Sequence, residues 1–153
     1  MPDAFHYFLV LSLGHLVGNA AIIVELGRKK LASGNIGMQI SLGCFTYKMT
    51  KGQHKEVMEG IKQSIEEALD EMIASEDYSF TKIEPNADFT KFKVTTTSSE
   101  LNLAESISVL AFYMYGGMYN IFNGTEVENI AVDFINEATG QIINSANSRD
   151  MGE

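Results

Sequence analysis

Cysteine is nearly missing from this 153-residue chain: Cys44 is the single one, so an internal disulfide framework is excluded. It lies in an apolar, strand-like run with nothing beside it to activate a thiolate, and it reads as a structural thiol. Proline is almost as scarce, with Pro2 and Pro85 alone, and no long Ser/Gly tract marks a linker. The chain therefore reads as one domain over residues 1–153. Basic residues are outnumbered, 11 against 20 acidic, for a formal charge of -9. Such a chain repels phosphate backbones and anionic lipid, which argues against nucleic acid and membrane as partners. Its most basic stretch, Arg28-Lys29-Lys30, is too short to form an electrostatic footprint. His6, His15 and His54 show no metal-ligand spacing and have no clustered Asp or Cys partners, so no metal site is expected. Repeats and low-complexity tracts are lacking too.

What is present is apolar. With 45% hydrophobic residues, a chain of this length can bury a real core. Residues 5 to 24, followed by the basic triplet, imitate a signal anchor. Asp3 in place of a basic leader, the polar His6, His15 and Asn19, and Gly14 and Gly18 all count against a spanning helix. The stretch is read as buried strands of a cytoplasmic protein, with a membrane-anchored accessory protein as the competing reading. Three β-leaning runs open the chain: Phe5 to Leu13, Ala20 to Leu26 and Ile36 to Met49.

Apolar residues from Val57 to Ile73 then recur at helical spacing, predicting a helix over Gly52 to Ala74 with Thr50 as its N-cap. Glu66, Glu67, Asp70 and Glu71 form its solvated face. A strand pair is predicted near Tyr78 to Ile83 and Asp88 to Thr97, where Phe92 and Val94 alternate with Lys91, Lys93 and Thr95. Asn102 with Glu105 forms a capping box for a helix to about Phe122, which Asn123-Gly124 stops. Gly116-Gly117 in its middle allows close packing, and its aromatic residues read as core or subunit interface. Thr125 with Glu128 resembles a second capping box, predicting a last helix to about Asn147.

On that last helix, Asn129, Asp133, Asn136, Glu137, Gly140, Asn144 and Asn147 would share one stripe, opposite Val127, Ala131, Phe134, Ile135, Ala138 and Ile142. Asparagine is a poor helix former, and glycine costs about 1 kcal/mol relative to alanine. Their concentration on one line points to a flat surface that another protein's backbone could approach.

Asp133-Phe134-Ile135-Asn136-Glu137-Ala138-Thr139-Gly140 is similar to the Glu-x-x-Asn-x-x-x-Gly signature of the CheX/CheC/FliY chemotaxis phosphatases. Met114-Tyr115-Gly116-Gly117 resembles the Met-x-Gly-Gly segment that precedes it there. The resemblance covers about residues 53 to 147. It implies a CheC-like two-layer α+β fold, an antiparallel sheet packed against long helices, and phosphatase action on a phosphorylated CheY-type response regulator. By that resemblance Asn136 would orient the attacking water and Asp133 would pair with the regulator's lysine, with Asn129, Glu137, Gly140 and Asn144 lining the contact. It implies no cofactor of the chain's own, the Mg²⁺ belonging to the regulator, and a homodimer. Two features depart from the family. Asp133 is one methylene shorter than the usual Glu, and the strands that would follow the motif are replaced by the N-terminal ones, which predicts a permuted strand order. A non-catalytic, protein-binding module is the alternative reading.

Overall fold

The computed structural model describes residues 4–9, 37–41 and 44–152. The predicted strand at Ala20 to Leu26 and most of the apolar 5–24 stretch lie outside them. Contacts divide the chain into two compact units at Ile61/Lys62, a point inside a helix.

The first unit carries a three-stranded antiparallel sheet, ordered β1-β3-β2. β1 (Ala4–Leu9) and β2 (Gly37–Ser41) flank β3 (Cys44–Thr50). These strands pair with one another and not with the sheet of the second unit, so the expected permuted arrangement is overturned among the described residues. Helix α1 (Lys51–Ala74) follows directly. Its start is fixed reciprocally: the Gln53 amide donates to the Thr50 hydroxyl (3.2 Å), and the Thr50 amide donates to Gln53 Oε1 (2.8 Å). That is the capping-box exchange with Gln in the third position. Ile61, Ile65, Leu69 and Met72 are buried along one stripe, while Glu66, Glu67, Asp70 and Glu71 are exposed.

The second unit is α+β, with an open, four-stranded mixed sheet ordered β4-β5-β6-β7. β4 (Phe80–Pro85) pairs antiparallel with β5 (Lys91–Thr96), and β6 (Ala131–Asn136) pairs antiparallel with β7 (Ile142–Asn147). β5 and β6 run parallel, so the expected wholly antiparallel sheet is corrected to a mixed one. A parallel pair needs a crossover, and helix α2 (Leu103–Asn123) supplies it. One sheet face is the core: Phe92, Val94 and Thr96 of β5 alternate in burial with Lys91, Lys93 and Thr95, and Val132, Phe134 and Asn136 do the same on β6. Phe112 of α2 meets Phe92 at 5.0 Å, and Phe80 meets Phe134 at 6.0 Å. Each such ring taken out of water contributes about 2–3 kcal/mol.

Both ends of α2 are locally specified. The Glu105 amide donates to Asn102 Oδ1 (2.8 Å), and the Asn102 amide donates to Glu105 Oε2 (2.9 Å). Glu105 is fully buried, and its other oxygen accepts from the Ser79 amide at 2.8 Å, tying the loop before β4 to the helix start. Gly124, at φ 71°, closes the helix in the left-handed conformation. Midway along α2, Gly116 lies where a Cβ would come within 2.2 Å of the Phe89 carbonyl oxygen. Only glycine lets the β4–β5 turn approach so closely. Phe89 itself holds a positive φ of 53° while its ring is buried between Phe92 and Tyr119. Apolar burial there outweighs a strained backbone.

Candidate functional site

The segment expected to be the last helix is strand, turn and strand. Residues 125–130 form a connection and not a capped helix start. Ala131, Phe134, Ile135 and Ala138 fit the helical period while Val132, Phe134 and Asn136 fit a period of two, and pairing with β5 and β7 selects the strand. The polar stripe therefore does not exist as a helical face.

Asp133 and Asn136, three residues apart on a strand, project to opposite faces of the sheet. Asp133 lies half-buried on the outer face, where its carboxylate accepts a short hydrogen bond from the Ser145 hydroxyl. Asn136 is buried at 8% exposure and both ends of its amide are hydrogen-bonded. Nδ2 donates to the Ser98 carbonyl (2.9 Å), while Oδ1 accepts from the Ala138 amide (3.1 Å), the Thr139 amide (3.0 Å) and the Thr139 hydroxyl (3.1 Å). It builds the β6–β7 turn. Gly140, at φ 68°, is the left-handed residue that turn needs, and its amide donates to the Asn136 carbonyl at 2.8 Å. Glu137 and Gly140 are exposed in the turn, and Asn144 is exposed on β7. Asn129 clamps the other end of the hairpin: its amide donates to Asn147 Oδ1 (2.9 Å), and its Oδ1 accepts from the Arg149 amide (3.3 Å) in the 3-10 turn Ser148–Gly152. The six site residues expected from sequence are thus distributed over both sheet faces and both ends of one hairpin.

Three other features could carry function. The outer sheet face aligns Glu84, Lys93, Asp133 and Ser145 across all four strands. Lys82, 2.7 Å from Glu84, holds that carboxyl below the usual carboxylate range, with a smaller contribution from Lys93. A shallow cleft of about 410 Å³ lies between the β4–β5 turn and the 125–131 connection, with Asp88, Lys91, Glu126 and Glu128 among its lining. Its carboxylates are exposed, and among the described residues no group of His, Cys, Asp and Glu is arranged to hold a metal ion.

The third feature is the outer face of α2. Leu103 is 77% exposed, Ile107 54%, Leu110 52% and Ile121 41%. Met114 lies half-buried in the same row, and a Cβ at Gly117 would meet nothing within 4 Å. In the whole 21-residue helix the one charged side chain is Glu105, buried on the opposite side. Of Gly116-Gly117, expected together to permit close packing, only Gly116 does so. The helical period of the exposed positions was readable in the sequence, but the aromatics around them masked it as core.

Comparison with protein-family models, curated proteins and solved structures returns no match. Among the described residues, no helix is long and apolar enough to cross a membrane.

Proposed function

We propose that this chain is a non-catalytic protein-binding module whose working surface is the outer face of α2. The observation that carries it is the row Leu103, Ile107, Leu110 and Ile121, exposed and uncharged on a helix anchored by its other side. Contiguous apolar surface of a few hundred Å² marks contact sites on soluble domains, because leaving it in water forfeits roughly 25 cal/mol per Å². Of the two roles implied by the CheX-type resemblance, binding is the one supported by these residues. Regulator dephosphorylation needs the acid and the amide on one accessible surface, whereas Asp133 and Asn136 face opposite ways and Asn136 is occupied in its turn.

The test is a photo-crosslinking residue at Leu110 in the full chain, expressed in its native host, with the exposed Lys62 on α1 as control. Protein adducts from position 110 and not from 62 are expected. Absence of protein adducts from 103, 107, 110 and 121 alike would overturn the proposal. So would an acceleration of phosphate loss from a CheY-type regulator that Asp133→Ala abolishes while leaving the melting transition unchanged.

A further inference from the structure

The cleft of about 410 Å³ beside the β4–β5 turn is lined by one side chain that the fold only half satisfies. Asn120, near the end of α2, is buried at 1% exposure, although asparagine is a poor helix former. Its Nδ2 donates to the Asp88 carbonyl (2.7 Å) and to the Gly116 carbonyl (2.8 Å). Both N–H bonds are used, which identifies the nitrogen and keeps the amide from turning over. Oδ1 accepts from no donor among the described residues. Every fully enclosed side-chain oxygen or nitrogen among those residues has a partner, so Oδ1 is open to solvent. The solvent-filled space that Asn120 lines is the cleft. A carbonyl oxygen held there in a fixed orientation is an acceptor for a donor from outside the chain.

The other lining residues define that donor. Asp88, Glu126 and Glu128 set three carboxylates against the single ammonium of Lys91, a net charge of -2. Charge and the Oδ1 acceptor together call for a cation that donates hydrogen bonds. A metal ion needs its oxygens drawn onto one point at about 2.0–2.6 Å, and no group of carboxylates among the described residues is so arranged. An organic ammonium has no such need, because its N–H groups reach separate acceptors at hydrogen-bond length. Two ammonium groups balance the -2. Val127 and Ala131, both half-buried, offer apolar surface to a short methylene chain between them.

Both walls are held in place by the chain itself. Asn86 Oδ1 accepts from the Thr90 amide (2.8 Å) and the Lys91 amide (3.0 Å), which fixes the turn. The Thr125 amide donates to the Asn120 carbonyl (2.9 Å), and the Ala131 amide to the Thr90 carbonyl (2.9 Å). A preformed site binds without the entropic cost of ordering its own walls. The volume is within the roughly 300–1,000 Å³ of small-molecule sites.

We propose that this cleft binds an aliphatic diamine, one ammonium donating to Asn120 Oδ1 and the pair balanced by Asp88, Glu126 and Glu128. The site is separate from the outer face of α2, so its failure leaves the binding-module reading untouched.

Titration of the full chain with putrescine, followed by calorimetry and NMR, tests it, with butylamine as the matched monoamine. Saturable one-to-one binding is expected, with a dissociation constant on the order of a millimolar. The side-chain amide resonances of Asn120 should move with the same saturation curve, and butylamine should bind several-fold more weakly. Asn120 itself is left in place, since its Nδ2 also holds the turn. Glu126→Gln with Glu128→Gln, both at exposed positions, should weaken binding roughly fivefold or more, and Lys91→Gln should strengthen it. Glu66→Gln with Glu67→Gln removes the same charge from the solvated face of α1 and should change binding by less than about twofold. Unchanged melting transitions certify the variants as folded. Equal weakening by the two double variants would mean attraction to the acidic chain at large and overturns the proposal. So does an Asn120 side-chain resonance that stays fixed, butylamine binding as tightly as putrescine, a titration that never saturates, or Mg²⁺ displacing putrescine at equal concentration.

Discussion

The Phe89 carbonyl oxygen occupies the place where Gly116 would otherwise carry a Cβ, at a separation of 2.2 Å. The same Cβ would come within 2.8 Å of Ile130 Cδ1. Turn, helix and strand entry are thus locked at one glycine, beside a phenylalanine in a left-handed backbone conformation. The carbonyl cannot swing aside like a flexible side chain. Gly116→Ala should therefore cost about 3 kcal/mol or more, as for overpacking against rigid neighbours. Gly117→Ala, one position on and in open space, should stabilise the dilute chain by roughly 0.5–1 kcal/mol through helix propensity. Urea unfolding of the two variants checks the contrast, and equal effects would refute it.

Asn136 makes four hydrogen bonds from one buried amide. Asn136→Ala should destabilise the second unit by about 2–4 kcal/mol, since the part-buried Ser98 carbonyl and two turn amides lose partners together. Gly140→Ala should cost less, about 1–2 kcal/mol, because the added methyl meets no atom and the penalty is the positive φ alone. Chemical denaturation ranks the two. Hydrogen exchange should show the loss at the β6–β7 turn first.

Glu105 is a buried carboxylate with an amide on each oxygen, from Ser79 and from Asn102. Glu105→Ala removes the cap and leaves both amides unpaired, for about 2–4 kcal/mol. Glu105→Gln keeps one acceptor oxygen and should fall between wild type and alanine. Thermal melts distinguish the three, and a neutral Glu105→Ala would contradict the assigned role.

The carboxyl of Glu84 is held below its ordinary pKa of 4.5 by the Lys82 hydrogen bond and charge, with Lys93 adding to it. A carboxylate with a depressed folded pKa contributes its stability above the unfolded pKa and loses it as pH falls through the folded one. The contribution should therefore be intact at neutral pH and disappear below about pH 4.5, in moderate salt only weakly because the pair is exposed. Lys82→Met should move the Glu84 titration midpoint, followed by NMR, back toward the ordinary value; an unchanged midpoint would show that Lys82 is not the cause.

Helices α1 and α2 were legible in the sequence because their determinants are local. Thr50 with Gln53 and Asn102 with Glu105 close their caps within one turn, and Gly124 supplies the left-handed stop. The β5 alternation was equally plain, since one face is buried and the other carries lysines. Residues 125–147 were not legible in the same way. Phe134 belongs to a helical row with Ala131, Ile135 and Ala138 and to a strand row with Val132 and Asn136, and Asn136 and Gly140, poor helix formers, belong to the turn between β6 and β7. Pairing of β6 with β5, across a whole intervening helix, decides between the two, and nearest-neighbour chemistry cannot report a contact that distant. The same holds for α2: its local sequence determined that it would be a capped helix with Glu105 as its one charged side chain. Only the packing of Phe112 and Gly116 onto the sheet and its turn decided which face is buried, and so left the Leu103-to-Ile121 row facing water.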